Sequence, residues 1–160
     1  MAYLIDLIVA SFLWIFPAYV ANAAPVVLKG KMPLDFGKKL RDGNRLFGPG
    51  KTIEGFVGGF IAGSIIGYLI GRWEIGILLA LGTVLGDLAG SFIKRRMGIE
   101  RGQQTWLLDQ YDFLIGALLV ASLLALPEID VLMVILILTP TLHLLTNYVA
   151  YKLKLKEVPW

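Results

Sequence analysis

Cysteine is absent from this chain, which excludes a disulfide framework, a thiolate metal site and a cysteine nucleophile. Charge is scarce. Aspartate, glutamate, lysine and arginine make up 17% of the 160 residues, where a soluble domain carries about 25%. No basic stretch and no obvious cleavage site accompany the first apolar run, so it reads as a retained helix rather than a signal peptide. Hydrocarbon fills the place of charge: 57% of the residues are hydrophobic and the mean hydropathy is +0.73. The apolar residues stand in long runs that a soluble core does not need. The sequence predicts an all-α, polytopic membrane protein with a single domain over residues 1–160.

Five apolar runs emerge, at residues 4–21, 55–71, 75–93, 113–126 and 131–149. The fourth is short, since about 14 residues at ~1.5 Å each reach only about 21 Å of a ~30 Å hydrocarbon layer. Either its helix begins near Trp106, drawing Asp109 and Asp112 into its first turns, or the last two runs merge into one kinked span. The polar turn Pro127, Glu128, Ile129, Asp130 favours two helices. Basic residues support five spans. Lys29, Lys31, Lys38, Lys39, Arg41, Arg45 and Lys51 follow the first run; Lys94, Arg95, Arg96 and Arg101 follow the third; Lys152, Lys154 and Lys156 follow the fifth. Arg72 stands alone on the other side. Five crossings gather all three basic segments on one face, which the positive-inside rule makes cytoplasmic, with the N-terminus outside. Residues 29–54 then form a long basic cytoplasmic loop, of a length that is functional or mobile in so small a domain.

Glycines recur every fourth residue at 55, 59, 63, 67 and 71, and again at 82, 86 and 90. That spacing predicts glycine faces on the second and third helices, where backbones approach closely. Such faces also leave room for a ligand.

The chemistry gathers around Asp87, Asp109 and Asp112. Asp87 lies about 9 Å inside the membrane from the end of its helix, and the other two about 4–9 Å, if theirs starts near Trp106. Three unpaired acids at one depth repel one another and are poorly solvated. A divalent cation relieves both problems, and an all-oxygen ligand set suits magnesium. A cap and helix-dipole role for Asp109 and Asp112 is compatible with this. Positions 87, 91, 94 and 95 form one helical stripe, so Ser91, Lys94 and Arg95 continue the Asp87 face as phosphate ligands, with Arg96 beside them. Gly48, Pro49, Gly50, Lys51 and Thr52 do not make a nucleotide P-loop, because Arg45 stands where its first glycine is required. Lys51 can still bind phosphate, whereas Thr52 reads equally as a helix cap. Asn22 either ends the first helix or lines the site. His143 and Asn147 are four apart on the fifth helix, and the histidine is expected to make an interhelix hydrogen bond.

Taken together, Ser91-x-x-Lys94-Arg95 followed by Asp109-x-x-Asp112, with Lys51-Thr52-x-Glu54-Gly55-x-x-Gly58-Gly59 and Leu85-Gly86-Asp87, resembles the signature of the membrane CTP:phosphatidate cytidylyltransferases. The interval before Asp109 is shorter than in the bacterial enzymes, and their Gly-His-Gly-Gly stretch is missing. In these departures the chain is similar to the archaeal branch, the CDP-archaeol synthases, as it is in its size, its Leu108-Asp109-Gln110 and its Pro159-Trp160 end. The resemblance implies cytidylyl transfer from CTP to 2,3-di-O-geranylgeranylglycerol 1-phosphate, a prenylated glycerol phosphate, with Mg²⁺ required and pyrophosphate released. It makes Asp87, Asp109 and Asp112 the metal and catalytic acids, and gives Lys94, Arg95 and Lys51 to the phosphates. The enzyme would sit in the cell membrane with its active site facing the cytoplasm, and no nucleic-acid partner is expected. Two other readings stay open: the same headgroup chemistry on ester lipids, and a small ion-binding transporter, although no internal repeat supports the latter.

Overall fold

The structure is a computed structural model that describes residues 2–160. Five helices form: α1 (Ala2–Leu28), α2 (Ile53–Leu69), α3 (Trp73–Arg96), α4 (Leu108–Ala121) and α5 (Ile129–Lys152). Among them α1, α3 and α5 are long and apolar enough to cross a membrane. The 17 residues of α2 and 14 of α4 give about 25 and about 21 Å. The last two apolar runs are separate helices, and α4 begins two residues past Trp106, so Asp109 and Asp112 do fall in its first turns. Helix α1 runs on through Pro17 and Pro25 to Leu28, so Asn22 sits inside the helix and does not end it.

Consecutive helices α1 to α4 pack tightly in succession, while α5 leans on α1 and touches α4 lightly. The core joins Trp14, Ile15 and Ala18 of α1, Leu79 of α3, Phe113, Leu114 and Ala117 of α4, and Ile135 of α5. Most other large apolar side chains point outward; Leu119, Leu123 and Ile137 are each more than 60% exposed, as lipid contact requires. Glycine sets the close approaches. A Cβ on Gly59 would stand 2.6 Å from the Ala21 carbonyl oxygen, and one on Gly63 2.7 Å from that of Pro17. Gly82 and Gly86 press on the backbone of Gly116 and Asp112 in the same way. The every-fourth glycines therefore draw α2 against α1, and α3 against α4.

The link between α1 and α2 has its own fold. Leu34 N donates to Lys51 O (2.8 Å) and Ile53 N to Met32 O (2.9 Å), pairing the two ends of the link. At its centre the buried Asp35 carboxylate accepts from the Arg45 guanidinium and from the amides of Gly37, Phe47 and Gly48. Burial alone would raise the pKa of Asp35, but those bonds outweigh it and hold the carboxyl well below the usual range. The link after α3 and the tail after α5 lie at the same end of the bundle. Arg96 Nη1 donates to Asp42 at 2.5 Å, and Trp160 Nε1 donates to Gly102 O at 2.9 Å.

Candidate active site

The site forms where α3 and α4 run closest, beneath the 48–51 loop. Gly90 of α3 faces the Asp112 side chain so closely that a Cβ there would stand 2.6 Å from Asp112 Cβ and 2.7 Å from Cγ. This glycine leaves room on α3 for the Asp112 side chain. The charged groups around Asp112 are Asp87, Lys51 and Lys94. Lys51 Nζ donates to Asp87 Oδ2 at 2.5 Å, and Lys94 Nζ donates to Asp109 Oδ1 at 2.7 Å. The second oxygen of Asp109 accepts from Thr105 N at 2.8 Å, tying the first turn of α4 to the link before it.

The three acids do not converge as the sequence led us to expect. Among the described residues no group of three or more Asp, Glu or His is gathered within reach of one metal ion. Asp109 stands nearly one turn before Asp112, held by Lys94 and Thr105, which leaves Asp87 and Asp112 as two acids in each other's field. That pair still fits a hard cation. Its donors are all carboxylate oxygens, Asp112 makes no salt bridge among the described residues, and magnesium needs only one or two carboxylates beside waters and phosphates.

Arg95 lies under the glycine loop. A Cβ on Gly48 would stand 3.6–3.8 Å from its Cδ, Nε and Cζ, and its Nε is buried without a hydrogen-bond partner. Arg101 reaches Gly50 from the other side, 3.3 Å from the corresponding Cβ position. Two expected phosphate ligands have other work. Arg96 donates to Asp42 and to the carbonyls of Asn44 and Arg45, anchoring the loop (2.5–3.4 Å), and Phe92 lies against its guanidinium. Thr52 caps α2, its hydroxyl accepting from Gly55 N at 3.1 Å, while Glu54 accepts from the amides of Lys31 and Met32. Ser91 is buried on the Asp87 stripe.

Two cavities meet at this level. A small one, about 40 Å³, is lined by Asn22, Lys51, Thr83 and Asp87, with the Thr83 hydroxyl buried and unpartnered. A larger apolar one, about 360 Å³, opens between α1 and α5 along Phe16, Val20, Phe113 and Leu153, with His143 and Asn147 in its wall. Asn22 lines both. Among the described residues His143 does not make the expected interhelix hydrogen bond. Asn147 of its own helix lies 3.1 Å from Nε2, and the interhelix contact is stacking on Phe113, with centroids 6.0 Å apart.

A glycine-seated acid pair, lysines on the neighbouring acids and an adjoining apolar cavity suit the joining of a polyanion to an amphiphile. Comparison with known proteins agrees. The family model described as CarS-like, CDP-archaeol synthase, matches residues 4–75 and 70–160. The CDP-archaeol synthase of Methanopyrus kandleri is 49% identical, over 92% of this chain and 91% of the relative. That of Pyrococcus abyssi is 47% identical, over 94% and 96%. The chain belongs to the CDP-archaeol synthase family. Its fold is also that of a solved structure described as an intramembrane enzyme for archaeal membrane lipid biosynthesis, at 43% identity and a TM-score of 0.80, covering 88% of this chain and 94% of that one. Membership puts the protein among membrane enzymes and removes the ion-transporter reading.

In this member of the CDP-archaeol synthase family, sequence reasoning passed over several residues near the cluster. Arg101 was read only as part of a basic link, and Asp35 as part of a loop. Lys156 was read as tail charge. Its ammonium is half-buried and its pKa is pushed down to about 8, first by burial and then by Lys51, with Asp109 and Asp87 opposing. No local pattern marks it, because its position is set by a chain reversal after α5, in which Lys154 adopts φ 57°.

Proposed function

We propose that this chain transfers a cytidylyl group from CTP to 2,3-di-O-geranylgeranylglycerol 1-phosphate, yielding CDP-archaeol and pyrophosphate with the aid of Mg²⁺. The observation that carries this reading is the acid pair Asp87 and Asp112 at the glycine seam, roofed by a loop that Arg95 and Arg101 underlie. The three basic segments at one end of the bundle support five crossings with that end in the cytoplasm and the N-terminus outside. CTP then enters from the cytosol, and the lipid enters sideways through the apolar cavity between α1 and α5.

The chemistry asks little of a general base. A lipid phosphate monoester is largely dianionic at neutral pH, its second pKa being about 6. One of its oxygens forms a bond to the α-phosphorus of CTP as the bond from that phosphorus to the β-bridging oxygen breaks, and pyrophosphate leaves with that electron pair. No proton has to move. The protein must hold two polyanions together and neutralise the leaving group. Arg95 and Arg101 grip the triphosphate, and Lys51 turns from Asp87 to the phosphates as substrate arrives. Asp109 keeps Lys94 in place. Asp87 and Asp112 would hold Mg²⁺, which supplies charge neutralisation on the bridging phosphate oxygens when bound.

Pyrophosphate release from each of four nucleoside triphosphates, with and without prenylated glycerol phosphate and Mg²⁺, tests the reading. Release only with CTP, lipid and metal together is expected. Release without lipid, or equal turnover of all four nucleotides, would overturn it. An ester-linked phosphatidate in the same assay separates the two lipid classes.

A further inference from the structure

Pro140 lies inside α5 without ending it. Having no N–H, it leaves the carbonyl of Leu136, four residues earlier, without its helical donor. In hydrocarbon no water takes that place, and a carbonyl left unsatisfied there is costly. Tyr111 of α4 supplies the missing bond. Its hydroxyl donates to Leu136 O at 2.9 Å, and both residues pack against the core. The buried Thr139 hydroxyl, just before the proline, donates to Ile135 O at 2.6 Å. With its one proton so placed, it accepts from Tyr19 of α1 at 2.8 Å. Two tyrosines from two helices thus pin α5 on the turn where its own ladder is broken.

The wall of the apolar cavity hangs from that turn. Every α5 residue that lines the cavity, from Leu142 to Ala150, follows Pro140. Ile135 and Thr139 are buried before the proline, but after it only Asn147 of this helix is. Ala150 lies about 15 Å along the helix from Pro140 at ~1.5 Å per residue, so a swing of about 4° at the proline moves it by about 1 Å. Tyr19 lines the cavity itself, whereas Tyr111 lines neither cavity. Tyr111 also stands on α4 between Asp109 and Asp112, so the segment that carries two of the acids also holds the cavity wall.

We propose that Tyr111 is a positioning residue for the lipid substrate: by closing the carbonyl that Pro140 leaves open, it fixes the direction of the C-terminal half of α5 and hence the width of the apolar cavity. The inference rests on the functional reading above, in which that cavity takes the lipid, and it names the residue that shapes the cavity through α5 without touching either substrate.

A double-mutant cycle on the full chain tests the route as well as the residue. Tyr111→Phe should raise the KM for prenylated glycerol phosphate by about 10-fold, the effect of leaving one buried acceptor open, and keep kcat and the KM for CTP within about twofold. Pro140→Ala gives Leu136 O a donor from within the helix, so in that background Tyr111→Phe should change the lipid KM by less than about twofold. An unchanged lipid KM in the single variant, an equal rise in both KM values, or the same rise in both backgrounds overturns the assignment. The chain has no cysteine, so nitroxide labels at Leu28→Cys and Leu145→Cys, both exposed and outside the cavity lining, report the α1–α5 distance without turnover. Tyr111→Phe should broaden or shift that distance, and Pro140→Ala should abolish the difference; a distance that Tyr111→Phe leaves unmoved overturns the proposal. Should Tyr111→Phe fail to fold alone, its folding in the Pro140→Ala background supports the same route, and failure there too overturns it. The labels read α5 in the absence of chemistry, so a failure of the cytidylyl-transfer reading would show separately, as absent pyrophosphate release in the wild type.

Discussion

Gly90→Ala is the most direct probe of how the acid pair is assembled. The new methyl would meet Asp112 at 2.6 Å from Cβ and 2.7 Å from Cγ, and its carboxylate oxygen closer still. Ordinary carbon contacts begin near 3.5 Å, so the helices must part by about 1 Å or the carboxylate must swing away from Asp87. Overpacking of this kind costs about 1–3 kcal/mol, partly offset by the roughly 1 kcal/mol by which alanine outdoes glycine in a helix. The fold should survive with a modest loss of stability. Catalysis should not, because an error of about 1 Å in a reacting constellation costs on the order of 100-fold. The assay is CTP- and lipid-dependent pyrophosphate release, with thermal unfolding in the same detergent. Gly58→Ala is the control, for its added carbon meets only the flexible tip of Leu28 and should leave activity within about twofold. Near-normal turnover in Gly90→Ala, or equal losses in both variants, would refute the claim that this glycine sets the acid pair.

Other substitutions divide the roles at the site. Asp112→Asn should lower turnover by about 100- to 1000-fold at every Mg²⁺ concentration, as loss of a main electrostatic group does. Asp109→Asn should keep the wild-type Mg²⁺ dependence and show a raised KM, having released Lys94; identical metal titrations for the two would return Asp109 to the metal. Arg95→Ala should raise the KM for CTP about 10- to 100-fold and spare that for lipid, and an unchanged CTP KM would remove Arg95 from the triphosphate. Asp35 has a lowered folded pKa, so its contribution to holding the loop is present above its unfolded value of about 3.9 and is lost as pH falls through the folded value. Proteolytic nicking within residues 29–51 should therefore stay slow down to about pH 4 in the wild type, whereas Asp35→Asn is nicked rapidly across that whole range.

The five helices were legible because each carries a long apolar run and the basic segments alternate with them. The glycine spacing at 82, 86 and 90 also foretold a close seam, since only a side chain no larger than hydrogen lets backbones meet there. Individual partners were not legible. Thr52 and Arg96 sit in stretches that suit phosphate equally well, and which group each bonds depends on how the 29–51 loop closes over them. Local spacing put Asp109 and Asp112 on one face, but the helix register seats Asp112 against Gly86 and Gly90 of α3 and leaves Asp109 to Lys94. His143 was assigned across helices because membrane polar groups usually bond that way, yet Asn147 one turn along was a nearer partner. Lys156 depends on a left-handed turn at a lysine, which sequence preference disfavours.

Charge pairing at the site points to what it takes in. Three acids and three lysines lie in one another's field. Two pairs form, Lys51 with Asp87 and Lys94 with Asp109, so these four groups can sit near hydrocarbon before any substrate arrives. The remaining acid, Asp112, makes no salt bridge among the described residues and sits at the α3–α4 seam. Were the cluster merely structural, the cheaper arrangement would pair this acid as well. An unpaired acid in the field of a lysine–aspartate pair that can open suits a divalent cation, with the triphosphate drawing Lys51 off Asp87 and freeing that carboxylate for the metal.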